Sequence, residues 1–222
     1  MAPQLVFPDP RAAADLLTFS GRAARLGDPA IRIRAAAGTM AVSAAPLSPR
    51  GFGDDVPTVL GMRFLPCDDE LECDLVVDAA TLGAGVAAGT VALPDSGVSA
   101  AWAGISPPRA GWMPSGSVDS ARLEAAARRG VADVASALPA TPGEDIVRTV
   151  RAAIWGREDD QLGGIVAGAA FAADALGFLS GAEQAPVFRN GTWTRLTLRR
   201  GHVLVRAGNP TGLTTVRATG GR

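Results

Sequence analysis

Lysine and tyrosine are absent from this 222-residue chain, histidine occurs once and cysteine twice. Each shortage removes a class of chemistry. Without lysine there is no Schiff-base nucleophile and no phosphate-loop cation of the Walker kind. The glycine-rich stretch GAGVAAG, residues 83–89, has the spacing GxGxxxG and runs into strand and turn residues instead of a helix, so it lacks the N-terminus that would hold a pyrophosphate. With His202 alone, a zinc site would lack nitrogen ligands, and the acidic run CDDELECD has neither the glycine nor the ligand pattern of a calcium loop. No G-x-S-x-G elbow occurs. The expectation is therefore no metal, no cofactor and no complete catalytic set.

Cys67 and Cys73 lie six apart around an apparent hairpin turn, where the pleat does not set them opposite one another. They read as free thiols of a reducing cytoplasm. The opening residues carry no basic stretch followed by an apolar run, which fits the same cytoplasmic expectation. Long apolar runs are scarce as well. The nearest, residues 162–182, is dominated by Ala and Gly, contains Asp174 and has no basic C-terminal flank, so it reads as a buried helix and not a membrane span.

What is present is arginine: all 21 basic side chains are of this type, which with the abundant alanine is the pattern of GC-rich bacterial coding. Apolar residues make up 47% and charged residues 19%, enough for a core without staples. The net charge of −1 favours neither nucleic acid nor an acidic membrane. Its distribution is uneven. Residues 54–78 hold eight acids against Arg63, whereas residues 186–222 hold seven arginines and no acid. Pairing of these segments between two copies would make a homodimer.

Asp9 as N-cap and Pro10 at the first helical position predict a helix over 10–26. The period then changes to two: AIRIRA, followed by strand-like runs at 38–45, 57–65 and 71–78, with a hairpin predicted between 86–93 and 98–104 around Pro-Asp-Ser-Gly. Trp102 falls in the second of these as core. On the acidic strand, Glu70, Glu72 and Asp74 would share a face, best read as a solvated strand edge. Residues 105–117, rich in Pro and Gly, read as an irregular crossover between a first region, 1–104, and a second, 118–206, with a loose tail at 207–222 in which 213–216 could add a strand. The second region opens with a helix over 118–138, then one started by a Thr141/Glu144 capping box and ending near Gly156, then the apolar helix. The fold class is α+β: a largely antiparallel sheet preceded by one helix, then about three helices and a three-stranded C-terminal meander.

That meander, 186–206, carries the candidate site. Turns at Asn-Gly and at Arg200-Gly201 would pair Leu198 with Val203 and Leu196 with Val205. Val187, Thr194, Leu196, Leu198, Val203 and Val205 then share a buried face, and Phe188, Trp193, Arg195, Arg199, His202 and Arg206 share the other. Aromatic faces for stacking beside forked cationic donors suit an anionic ligand. Three phosphate contacts are too few for a dedicated nucleic-acid binder. Trp112 and Met113, in the crossover, form a second candidate surface for a protein partner. The reading is a non-catalytic binding or assembly module. Its rivals are an enzyme acting on a small anion through Arg195, Arg199 and His202, and a weak nucleic-acid binder.

Overall fold

The computed structural model describes residues 3–51 and 53–208; the 213–216 strand expected in the tail lies outside them. The chain runs β1 (Gln4–Val6), α1 (Pro10–Ala23), β2 (Ala30–Ala36), β3 (Thr39–Leu47), β4 (Thr58–Pro66), β5 (Cys73–Asp78), β6 (Gly83–Ala84), β7 (Thr90–Ala92), β8 (Met113–Asp119), α2 (Ser120–Ala137), α3 (Glu144–Trp155), β9 (Glu158–Asp159), β10 (Ile165–Val166), α4 (Ala167–Ala175), β11 (Gln184–Asn190), β12 (Trp193–Leu198) and β13 (Gly201–Arg206). It is an α+β protein. Eight strands form one antiparallel sheet in the order β5-β2-β3-β4-β13-β12-β11-β8. Two consecutive three-strand meanders, β2-β3-β4 and β11-β12-β13, thus meet at the β4–β13 pairing, each with one further strand at its outer edge.

α1 forms where its caps predict: Asp9 Oδ1 accepts from the Arg11 backbone N–H at 2.9 Å, and Ala12, Leu16, Phe19 and Ala23 bury one stripe. α1, α2 and α4 cover one face of the sheet, on which Ile31, Ile33, Val42, Val59, Leu196 and Val203 are buried. Two glycines let α4 approach. A Cβ on Gly61 would lie 1.9 Å from Leu176, and one on Gly201 would lie 2.5–2.8 Å from three ring atoms of Phe178. No helix among the described residues is long and apolar enough to cross a membrane.

Several sequence expectations are corrected. Residues 98–104 do not pair with 86–93; β7 pairs with β1 and β6, and Trp102 is buried from a single 3₁₀ turn, Ala101–Gly104. The crossover is not wholly irregular, since Met113–Asp119 is an edge strand. Pairing on one side alone lets it keep Pro114 and Gly116. The capping box does not form: Gly143 is the N-cap of α3, and no side chain caps the helix. The apolar helix shrinks to Ala167–Ala175 because Gly163 and Gly164 take left-handed conformations, and Asp174 is exposed on it. The run 67–72 is a loop, so Glu70 and Glu72 share no strand face with Asp74.

The meander turns also differ. β11 and β12 join through Gly191-Thr192, where Gly191 alone has positive φ, and β12 and β13 through Arg199-Arg200. Leu196 therefore pairs with Val203 and Leu198 with Gly201. The slip is by an even step, so each side chain keeps its predicted face.

Candidate site on the outer face of the sheet

The sheet face turned away from the helices carries a second, smaller core: Leu60, Trp102, Trp193 and Leu204, with Met62, Ile105 and Trp112 packed around them. Residues 100–112, in the stretch between β7 and β8, lie over this face as a strap. Arg32 donates to the carbonyl of Ala103, Asn190 Nδ2 donates to that of Ala110 at 2.8 Å, and Trp112 Nε1 donates to that of Pro108 at 3.0 Å. Beside the strap opens a cavity of about 920 Å³. Its floor is apolar sheet, including Ala41, Leu60, Met62 and Leu204, and its walls include Trp102, Trp112, Arg109 and Arg195.

Arg195 is the unusual member. Its guanidinium lies between two rings, 4.7 Å from the centroid of Trp112 and 4.6 Å from that of Phe188. Its Nε is buried without a hydrogen-bond partner, and no ion pair reaches it among the described residues. Burial pushes its pKa down. The arginines that the first meander contributes are matched: Arg32 binds both carboxylate oxygens of Asp74 at 2.7 Å, and Arg34 reaches the same group at 3.4 Å. The Arg32 hydrogen bonds hold the Asp74 carboxyl below its ordinary range.

His202 also lines the cavity, half-buried, with Nδ1 3.1 Å from Thr197 Oγ1 and its ring edge-on to the exposed Phe64 at 5.5 Å. Burial, and then the neighbouring Arg195 charge, push its pKa below the ordinary 6.5. Burial raises both thiols, Cys67 and Cys73, so neither is poised as a thiolate. No cluster of His, Cys, Asp or Glu suited to a metal occurs among the described residues.

Of the residues singled out from sequence, Phe188, Trp193, Arg195, His202 and Arg206 do emerge on one face. Of these five, Arg195 and His202 reach the cavity, where they join Trp112. Trp193 is 7% exposed, so it is core and offers no stacking platform. Arg206 points to a separate small hollow lined also by Asp54 and Asp55. Arg199 sits in a turn, its backbone N–H donating to Glu183 at 3.1 Å and its guanidinium 4.0 Å from the same carboxylate. Trp112 and Met113 are separated: the indole covers Arg195, whereas Met113, 68% exposed, begins the edge strand β8. Sequence reasoning missed Arg32, Arg34, Phe64 and Arg109. The alternation in AIRIRA does put Arg32 and Arg34 on one face, but nothing local indicates that the face continues into the C-terminal meander.

Residues 1–104 match the model of a domain of unknown function (DUF8010), and residues 107–210 match that of another (DUF8185). Each spans just under half of the chain. Among solved structures, the fold is similar to that of bacterial sliding clamps. A DnaN sliding clamp (DNA polymerase III subunit beta) from Bartonella birtlesii, bound to griselimycin, aligns with a TM-score of 0.50 at 10% identity over 96% of this chain and 67% of its own. A putative DNA polymerase III beta subunit from Eubacterium rectale gives 0.50 at 8% identity over 95% and 66%. The chain thus spans about two thirds of the length of these clamps. At such identity the likeness is one of fold. No curated protein matches the sequence.

Proposed function

We propose that this protein is a non-catalytic binding module that takes up an organic anion with an apolar body in the cavity beneath residues 105–112. The observation that carries this reading is Arg195, a guanidinium fixed by two rings, lacking a counter-charge and standing in the wall of a largely apolar cavity. A guanidinium whose Nε is buried without a partner is costly, and an incoming carboxylate or sulfonate supplies that partner through forked, charge-assisted hydrogen bonds. The ligand's apolar portion then covers Leu60, Met62 and Ile105. The clamp of Bartonella birtlesii, crystallised with griselimycin, is a structure of similar fold that carries a ligand.

The enzyme alternative is less well supported, because Arg199 lies at a turn with Glu183 and the protonation of His202 is disfavoured. Nucleic-acid binding loses its stacking platform with Trp193 in the core. The two unpaired thiols fit a cytoplasmic location. A second reading, self-association, is supported by β8, an edge strand with five exposed residues among its seven.

The test uses 8-anilinonaphthalene-1-sulfonate and its uncharged relative N-phenyl-1-naphthylamine, which differ by the sulfonate. The sulfonate should bind at least tenfold more tightly, and Arg195→Gln should remove that margin, as expected for a charge-assisted contact of about 1.5–3 kcal/mol. Equal binding of the two probes, or a variant that binds like the parent, would overturn the proposal.

A further inference from the structure

A second cavity, of about 780 Å³, opens on the other side of Trp102, between the first two turns of α3, the loop after α1 and the end of β3. We infer that it is a separate binding site for a small organic monoanion with an apolar body, its charge held by Arg151.

The assignment starts from charge. Six ionised side chains line this cavity, three of each sign: Asp28, Glu144 and Asp145 against Arg50, Arg148 and Arg151. Arg50 pairs with Asp145 at 2.5 Å, and Arg148 with Glu144 at 3.3 Å. Asp28 is engaged by neutral donors, its Oδ1 accepting from the Ala30 backbone N–H and its Oδ2 from Trp102 Nε1, each at 3.0 Å. That leaves Arg151, which has no hydrogen bond or ion pair among the described residues. Burial disfavours its charged form.

Its position is nevertheless fixed. The guanidinium stacks on Phe171 at 5.5 Å, and that ring stacks in turn on the buried Trp155 at 4.5 Å. Gly27 makes room for it, since a Cβ there would lie 2.7 Å from Arg151 Nη1. A half-buried cation stacked on a ring and left without a counter-ion at the wall of a cavity is a preorganised anion receptor.

The same inventory sets the ligand's charge. Arg151 is the cation of the three with no carboxylate against it and can take one negative charge, whereas Asp28 keeps its own charge on neutral donors, so a phosphate dianion would meet more repulsion than a monoanion. The remaining wall, which includes Pro29, Leu47, Pro49, Trp102 and Val147, suits an aliphatic or aromatic body. A small monocarboxylate is the class that fits. The site does not depend on the one at Arg195: the two guanidiniums lie in different cavities, with Trp102 as the shared wall.

The test is an amide-resolved NMR titration of the full chain with 3-phenylpropanoate, and with 3-phenylpropanamide as the uncharged control. The carboxylate should move the signals of Gly27, Ser99 and Val147, and the amide should require at least tenfold more ligand. Arg151→Gln should abolish these shifts, whereas Arg195→Gln should leave them in place, so failure at one site is separable from failure at the other. Val147→Glu keeps Arg151 and gives it an internal counter-ion one helical turn away, which should also abolish the response. If the amide binds as well as the acid, or if Val147→Glu still binds the acid like the parent, the assignment is wrong. Should Arg151→Gln fail to fold, Val147→Glu, a change on a helix surface, decides the matter alone.

Discussion

Two aromatic rings stand where a carboxylate would ordinarily face Arg195. Cation–π contacts of this kind contribute about 0.5–2 kcal/mol each, less than burial of an unpaired cation costs. The indole of Trp112 also ties the strap to β12. Trp112→Ala should therefore lower stability by about 2–4 kcal/mol as an aromatic truncation, measured by urea unfolding, and weaken capture of the anilinonaphthalene sulfonate as well. His202 gives a separate test. Its folded pKa lies below 6.5, so the unfolded chain binds the proton more tightly, and stability is complete above that pH and falls as pH drops through 6.5 toward the folded value. His202→Gln should flatten the slope of unfolding free energy between pH 7.5 and 5. An unchanged slope would show that the ring is solvated.

The elements show what can be read locally and what cannot. Gly201 begins β13 against the ring of Phe178, and a rigid ring cannot withdraw as an aliphatic chain can. Gly201→Ala should cost about 1–3 kcal/mol by overpacking, and its midpoint in denaturant should fall with no change in slope. The same glycine explains the displaced turn: placing it opposite Leu198 seats it under Phe178, whereas the sequence alone favours a turn with glycine inside it. Helix starts with side-chain caps and strands with period-two alternation were legible, as at Asp9 and in AIRIRA. The faces of the meander were legible too, because parity survives an even slip. The edge strand β8 was not, since Pro114 and Gly116 carry the signature of a loop and only the partner β11 makes them a strand. Trp102 was recognisable as a core residue, but Trp193 was read as part of an open binding face, and its burial depends on a strap whose path no local pattern encodes.

At the scale of the whole molecule, the acidic middle and the basic C-terminal segment turn out to be neighbours in one chain, because β4 pairs with β13 from Thr58↔Arg206 to Met62↔His202. The two pairing strands themselves carry Arg63 and Arg206 and no acid, and Asp74 of the acidic run is held by Arg32 and Arg34 of β2, so any self-association should run through the edge strand β8 and depend little on salt. Sedimentation velocity in low and in high salt should give the same species. If that species is a dimer through β8, the double change Met113→Lys and Ser115→Lys should dissociate it, since charged side chains block strand addition at an edge. A monomer at tens of micromolar in both buffers removes the second reading. The cavity at Arg195 belongs to neither meander alone. It draws Met62 and Phe64 from the first, His202 and Leu204 from the second, and Trp112 from the link between them.

That seam makes the protein a natural candidate for splitting. Cut within 104–107, the chain yields two pieces, each with one newly exposed hydrogen-bonding edge, β4 on the first and β13 on the second, that the other piece pairs in the intact sheet. Leu176 and Phe178 from the later piece are already shaped to the glycine on the earlier one. Co-expressed, the two should find each other and restore the cavity, so that a reporter divided between them would light up only when both are made in the same cell.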